Sequence, residues 1–143
     1  MKNFRVLLMI LGIISNICGC KSLTGPEFYY DPNTIASVEI VLLGESVPES
    51  LTFEETVLSK IDNVAEFLSR INTVERRPNW GEPICITEGD VAVKIVYSSG
   101  EYDLLTYDAQ VLYRDGQNRT GYTIFDQAKF DALIAEYTNL ISE

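Results

Sequence analysis

Apolar residues recur along the chain with two different periods, and these periods predict its secondary structure. A run rich in β-branched residues at 34–43 predicts a first strand. Thr52 and Glu55 match a capping box, and apolar residues then recur at spacings of three and four. This spacing predicts a helix from Thr52 to about Asn72.

Two further strands, at 91–98 and 101–107, are predicted to form a hairpin, because Ser99-Gly100 makes a plausible two-residue turn between them. Pairing across this turn fixes which residues face the core. The predicted core face carries Val93, Ile95, Tyr97, Tyr102, Leu104 and Thr106. Asp103 then lies on the outer face, where we expect it to be exposed.

A second hairpin is predicted from strands at 110–114 and 119–124, with its loop at 115–118. The loop has either two or four residues, and both lengths preserve the alternation of faces. The predicted core face of this hairpin carries Val111, Tyr113, Tyr122 and Ile124.

A last helix is predicted to begin after the capping residue Asp126, because apolar residues follow it at helical spacing. Its predicted apolar stripe contains Phe130, Leu133, Ile134, Tyr137, Leu140 and Ile141. The order of elements is therefore strand, helix, several strands joined by short turns, then helix. This order predicts the α+β class, as a two-layer sandwich with a mainly antiparallel sheet of four to five strands packed by two helices.

The first residues have a different pattern, with Lys2 and Arg5 followed by a mainly apolar run at 6–18. At 1.5 Å per residue this run is about 20 Å long as a helix, which is too short for a hydrocarbon core of about 30 Å. A cleaved export signal explains the run better than a permanent membrane helix.

The run closes with Ile17-Cys18-Gly19-Cys20, which resembles the lipobox of bacterial lipoprotein signal peptides. The resemblance implies cleavage before Cys20 and lipidation of its sulfur. The lipid would anchor the protein to a membrane of the bacterial cell envelope, with the protein facing outside the cytoplasm. It divides the chain into a signal peptide at 1–19, a lipid-anchored tether at 20–33 and a single α+β domain at 34–143. The alternative is an ordinary secretory signal cut at another bond, which would also export the protein.

The charge of the expected mature chain is strongly negative. Loss of the signal leaves nine basic and 21 acidic residues, a formal charge of −12. Phosphate backbones repel such a protein, so we expect no nucleic acid partner. Contact with the membrane is expected through the lipid on Cys20 alone.

The chain contains no histidine, which excludes hydrolase triads that use histidine as the base. Once the signal is removed and Cys20 is lipidated, Cys85 has no internal partner and is expected to be a buried thiol. We therefore expect no metal and no cofactor, and a protein that is not an enzyme. Catalysis by carboxylates alone remains open.

The segment at 74–83 carries the only tryptophan of the chain and an adjacent basic pair. Arginine and tryptophan are enriched in protein interfaces, so Arg76, Arg77 and Trp80 form a candidate interaction loop. The alternative is structural: Trp80 packs over the sheet edge while the arginines lie near the end of the preceding helix. The expected function is a binding module for a protein or a cell-envelope ligand, and the alternative is an acidic inhibitor or immunity-type lipoprotein against a cationic hydrolase or toxin.

Overall fold

A computed structural model describes residues 29–47, 52–78, 86–107, 109–114, 117–124 and 126–139. Within these ranges seven strands form one antiparallel sheet in the order β2-β1-β4-β5-β6-β7-β3. The strands are β1 (Ile35–Val47), β2 (Thr52–Lys60), β3 (Arg76–Pro78), β4 (Val91–Tyr97), β5 (Tyr102–Leu105), β6 (Ala109–Arg114) and β7 (Gln117–Ile124). The helices are α1 (Val64–Ile71) and α2 (Gln127–Asn139).

The α+β class, the mainly antiparallel sheet and the two helices agree with the sequence prediction. The sheet has more strands than the four to five expected. Two of the additional strands are β2, from the first half of the predicted helix at 52–72, and β3, which follows α1.

The capping box at Thr52 was the wrong start for the first helix. Residues 52–60 instead form the edge strand that pairs antiparallel with β1, from Val47 opposite Thr52 to Glu39 opposite Lys60. β1 is 13 residues long and extends beyond the predicted strand, so it offers these residues backbone partners along a ladder that is shifted only between Ile40 and Val41 and between Leu43 and Ser46. The helix begins after Asn63, whose Oδ1 accepts a hydrogen bond of 3.2 Å from the backbone N–H of Glu66.

The backbone N–H of Tyr97 donates to the Glu101 carbonyl at 2.8 Å, so the hairpin between β4 and β5 closes with a three-residue loop, Ser98-Ser99-Gly100, rather than the predicted two-residue turn. Gly100 has φ +90°, a left-handed conformation that a residue with a Cβ rarely adopts. Ile95 therefore pairs with Asp103 instead of Leu104. A shift of one residue moves every side chain of a strand to the opposite face, so Asp103 points inward and the predicted faces of β5 were reversed.

A bulge at Gly121 changes the alternation of the second hairpin. Val111 pairs with Thr120 whereas Gln110 pairs with Tyr122, which leaves Gly121 as the extra residue of β7. Val111 and Tyr113 therefore belong to the apolar cluster on one side of the sheet, while Ile124 belongs to the cluster on the other. Tyr122 lies two residues before Ile124 in β7 and therefore shares its face. The prediction that these four residues share one face was wrong, because parity is conserved only where no residue is inserted.

The second helix begins where the sequence predicted. Asp126 caps it: Oδ1 accepts a hydrogen bond of 3.2 Å from the backbone N–H of Lys129, and its carbonyl oxygen accepts one of 3.1 Å from Phe130. Phe130, Leu133 and Ile134 of the predicted stripe are buried. Leu140 and Ile141 lie outside the described residues.

Both helices pack on the same face of the sheet and build the larger of two apolar clusters. Its members in the sheet and the helices include Val38, Ile40, Val93, Ile95, Leu105, Ile124, Phe67, Leu68, Ile71, Phe130, Leu133 and Ile134. The opposite face carries a smaller cluster of Val41, Leu43, Ala92, Leu104, Val111 and Tyr113. Below, the first is called the helix face and the second the opposite face.

Candidate functional site

The two arginines of the candidate interaction loop have different surroundings. They lie in β3, an edge strand that pairs with β7, and their side chains alternate across it. Arg76 is only 7% exposed, whereas Arg77 is exposed and lies with Nη2 3.6 Å from Glu75 Oε1. Trp80, Cys20 and Cys85 lie outside the described residues.

A polar cluster lies on the helix face at the centre of the sheet, around Asp103 of β5. The Asp103 side chain is 1% exposed, and its Oδ2 accepts hydrogen bonds from the Tyr30 hydroxyl at 2.9 Å and the Tyr97 hydroxyl at 3.0 Å. Gln110 Nε2 donates a third hydrogen bond to the same oxygen at 3.2 Å. One buried carboxylate oxygen therefore joins β4, β5, β6 and the segment that precedes β1.

Arg114 of β6 supplies the countercharge. Its Nη2 lies 2.5 Å from Asp103 Oδ1, a contact that acts as an ion pair rather than an aligned hydrogen bond. Nη1 donates to the backbone carbonyls of Tyr102 at 2.9 Å and Tyr113 at 3.1 Å. The guanidinium also stacks over the Tyr97 ring, 4.5 Å from its centroid. These contacts fix the position of Arg114 on the sheet.

Burial changes the titration of the cluster. It raises the pKa of the Asp103 carboxyl, although the Arg114 guanidinium and the hydrogen bonds from Tyr30 and Tyr97 act in the opposite direction. Burial, followed by the charge of Asp103, also raises the pKa of both tyrosines, that of Tyr30 well above its usual value. Both phenols therefore keep their protons at neutral pH and remain hydrogen-bond donors.

Tyr30 belongs to this cluster, although it lies within the predicted tether at 20–33. Its side chain is 1% exposed, and its hydroxyl accepts a hydrogen bond of 2.7 Å from Gln110 Nε2 while donating to Asp103. The Arg76 guanidinium lies over the Tyr30 ring, 5.1 Å from the centroid. Arg76 Nη1 also donates to Gln110 Oε1 at 3.3 Å.

This cluster was not predicted from the sequence. Its members are Tyr30, Tyr97, Asp103, Gln110 and Arg114, together with Arg76. The predicted register placed Asp103 on the solvent-exposed face beside Lys94, whereas the observed register turns it to the helix face. The signal in the sequence was Asp103 followed by Leu104 and Leu105 in a short strand. Side chains alternate between the two faces of a strand, so Asp103 shares its face with Leu105, a residue expected to be buried.

The opposite face of the sheet carries a second polar group beside the smaller apolar cluster. Lys94 Nζ lies 2.5 Å from Glu55 Oε2 and 4.6 Å from the centroid of the Tyr102 ring. The rings of Tyr102 and Tyr113 stack with centroids 4.4 Å apart and planes inclined by 12°. Burial, followed by the neighbouring Tyr102, raises the pKa of Tyr113 to about 12.

These arrangements have a clear chemical consequence. The Asp103 carboxylate is bonded to groups of the chain itself and is shielded from solvent, so the cluster is a closed network rather than an open acid–base pair. Within the described ranges, no three histidine, cysteine, aspartate or glutamate side chains come together as a metal site would require. Neither α1 nor α2 has the length and apolar character needed to cross a membrane.

Comparison with protein-family models, with curated proteins and with solved structures gave no match to this chain.

Proposed function

We propose that this protein is an exported, lipid-anchored binding module of the bacterial cell envelope. The sequence Ile17-Cys18-Gly19-Cys20 after a basic and then apolar N-terminus supports export and lipidation at Cys20. The membrane is then a partner through the lipid, and the folded domain is held outside the cytoplasm by the tether. A protein or a cell-envelope ligand is its second partner.

A binding role is favoured over catalysis by the chemistry of the chain. It has no histidine. The buried carboxylate of Asp103 is held by Tyr30, Tyr97, Gln110 and Arg114, which leaves it closed to a substrate. The observation that carries the proposal is this commitment of the most buried acidic group of the described residues to internal contacts.

Arg77 is the residue of the candidate loop through which a partner is contacted. It projects from the edge strand β3, while the adjacent Arg76 is directed into the domain. We propose that Arg77 acts together with Trp80, two residues beyond the end of β3. Arg76 is buried, and its guanidinium lies over the Tyr30 ring instead.

Anchoring and binding need separate tests. Labelled palmitate attaches to the parent chain, and a Cys20→Ser variant loses both the label and firm association with membranes. If the variant stays as firmly associated as the parent, the anchoring proposal is wrong.

Binding is tested with the domain immobilised against cell-envelope extracts of the producing bacterium. Arg77→Ala and Trp80→Ala reduce the retained material, whereas Lys60→Ala does not. Lys60 is the matched control, because it is 75% exposed on β2, the opposite edge of the same sheet. Equal retention by all four chains contradicts a binding surface at Arg77 and Trp80.

An acidic inhibitor or immunity-type lipoprotein is the second candidate function, and the charge of the chain favours it. The formal charge is −12 once the signal is removed, and both helices expose acidic side chains to solvent, among them Glu66 of α1 and Asp131 and Glu136 of α2. Complementary charge accelerates association with a cationic hydrolase or toxin. Lysozyme activity measured with and without the domain, at low and high salt, tests this role; inhibition that weakens with salt supports it, and no inhibition at either salt concentration contradicts it.

A further inference from the structure

Residues 29–33, called the strap here, are attached to the domain mainly through side chains. The backbone N–H of Tyr30 donates to Asn72 Oδ1 at 2.8 Å, and Asn72 Nδ2 donates to the Tyr30 carbonyl at 3.0 Å. The Tyr30 hydroxyl supplies the remaining bonds, to Asp103 and Gln110. Because the Tyr30 backbone bonds to a side chain rather than to a strand, this residue can leave without breaking the sheet ladder.

The surroundings of the Tyr30 ring have the features of a ligand site. Asp103 Oδ2 accepts the hydroxyl proton at 2.9 Å, and Gln110 Nε2 donates to the hydroxyl oxygen at 2.7 Å. The Arg76 guanidinium covers the ring, and the Tyr97 ring is inclined to it at 48° with centroids 6.4 Å apart. The surroundings therefore specify both an aromatic ring and a hydroxyl group on it.

The walls of this site are held in place by contacts that do not involve Tyr30. Asp103 is fixed by the Arg114 ion pair and by the Tyr97 hydroxyl. Gln110 donates to Asp103 and accepts from Arg76. A site whose polar groups are already oriented loses little conformational freedom on binding, which favours affinity for a matching ligand.

We propose that Asp103, Gln110, Arg76 and Tyr97 form a preformed binding site for a para-substituted phenol, which the chain's own Tyr30 occupies. Withdrawal of the strap opens the site to a phenolic ligand from outside the domain. Tyr30 competes with such a ligand as a tethered occupant, at a high effective concentration. This inference does not depend on lipidation or on the interaction surface at Arg77.

The test removes the occupant and supplies its side chain as a free molecule. Tyr30→Ala removes the hydroxyphenyl group and retains the β-carbon, and para-cresol supplies that hydroxyphenyl group on a methyl group of its own. In calorimetric titrations we expect para-cresol to bind Tyr30→Ala and not the parent chain, and to raise the melting temperature of the variant. We expect toluene, which has the same ring without the hydroxyl, to bind at least about tenfold more weakly, since it leaves Asp103 and Gln110 with unmet hydrogen bonds.

Equal binding of para-cresol and toluene would show a cavity that does not recognise the hydroxyl and would overturn the proposal, as would no binding of either to a folded Tyr30→Ala chain. A second variant keeps the test decisive if Tyr30→Ala does not fold. Tyr30→Phe keeps the ring and loses only the hydroxyl, so we expect the Tyr30 backbone N–H to exchange with solvent deuterium at least about tenfold faster in it. Tyr29→Phe, at a ring that is 64% exposed, is the matched control and leaves that exchange unchanged; parent-like exchange in Tyr30→Phe also overturns the proposal.

Discussion

Asp103 and Arg114 form an ion pair across the two adjacent central strands β5 and β6, with Nη2 2.5 Å from Oδ1. The two side chains differ in exposure, since Asp103 is 1% exposed whereas Arg114 retains 24%. The carboxylate therefore bears the larger desolvation cost, whereas the guanidinium remains partly in contact with solvent. Such a pair is costly to break from one side, because the remaining charge stays where water reaches it poorly.

Asp103→Asn is expected to lower the free energy of unfolding by about 2–4 kcal/mol, somewhat below the cost for a fully buried pair because Arg114 is partly exposed. The substitution preserves the size of the side chain, so the loss reports charge and hydrogen bonding rather than packing. Urea denaturation measures it. Lys60→Met breaks a pair with Glu39 at 3.4 Å in which the lysine is 75% exposed, and it is expected to cost less than about 1 kcal/mol. Equal costs for the two variants would contradict a central role of the Asp103 pair.

The free energy of unfolding is expected to fall at alkaline pH, because buried tyrosines ionise less readily in the folded chain than in the unfolded chain. The pKa of Tyr113 is raised from 10.0 to about 12, chiefly by burial, so the folded chain holds this proton more tightly than the unfolded chain. Its contribution to stability is complete below pH 10 and is lost as the pH rises toward 12. Urea midpoints measured through this interval should decline less steeply in Tyr113→Phe than in the parent. A parent-like decline in the variant would contradict this assignment.

A larger residue at Gly121 is expected to destabilise the protein, because the Leu112 side chain of β6 packs against this position in β7. A Cβ at this position would lie 3.0 Å from Leu112 Cγ and 3.1 Å from Leu112 Cδ1. We expect Gly121→Ala to destabilise the protein by about 1–3 kcal/mol through overpacking. The double variant Gly121→Ala/Leu112→Ala should lose less stability than the sum of the losses in the two single variants, since Leu112→Ala removes the clash. Strict additivity in denaturation experiments would show that the contact does not cause the loss.

The periodicity of the sequence predicted those elements in which apolar residues recur at a regular spacing along one face. In α2 the apolar stripe that contains Phe130 and Leu133 allows only one face of the helix to be buried, and the capping residue Asp126 marks the start of the helix. The alternation in β4 likewise places Val93 and Ile95 on the same face. A period and a capping residue are local signals, so the sequence is enough to find them.

The candidate site escaped prediction because its position depends on the register of β5. This strand contains both Leu104 and Leu105, which are buried on opposite faces, so its apolar pattern fits either register equally well. The choice is made by the loop that ends at Gly100, whose length the sequence leaves ambiguous. One residue in that loop decides whether Asp103 meets solvent or Arg114. The partners of Asp103 come from distant segments, Tyr30 being 73 residues away, and no local pattern indicates them.

Arg76 and Arg77 provide a final test, because adjacent residues of the same type are predicted to behave differently. Arg76 donates to Gln110 at 3.3 Å and covers the Tyr30 ring, so Arg76→Met is expected to lower the free energy of unfolding by about 2–3 kcal/mol. Arg77 is exposed beside Glu75, so Arg77→Met should change stability by less than about 0.5 kcal/mol. Methionine retains much of the length of the arginine stem in both variants, which makes each the control for the other in urea denaturation. Similar losses at both positions would mean that β3 does not present its two arginines to opposite environments, and the assignment of Arg77 to a contact surface would fail with it.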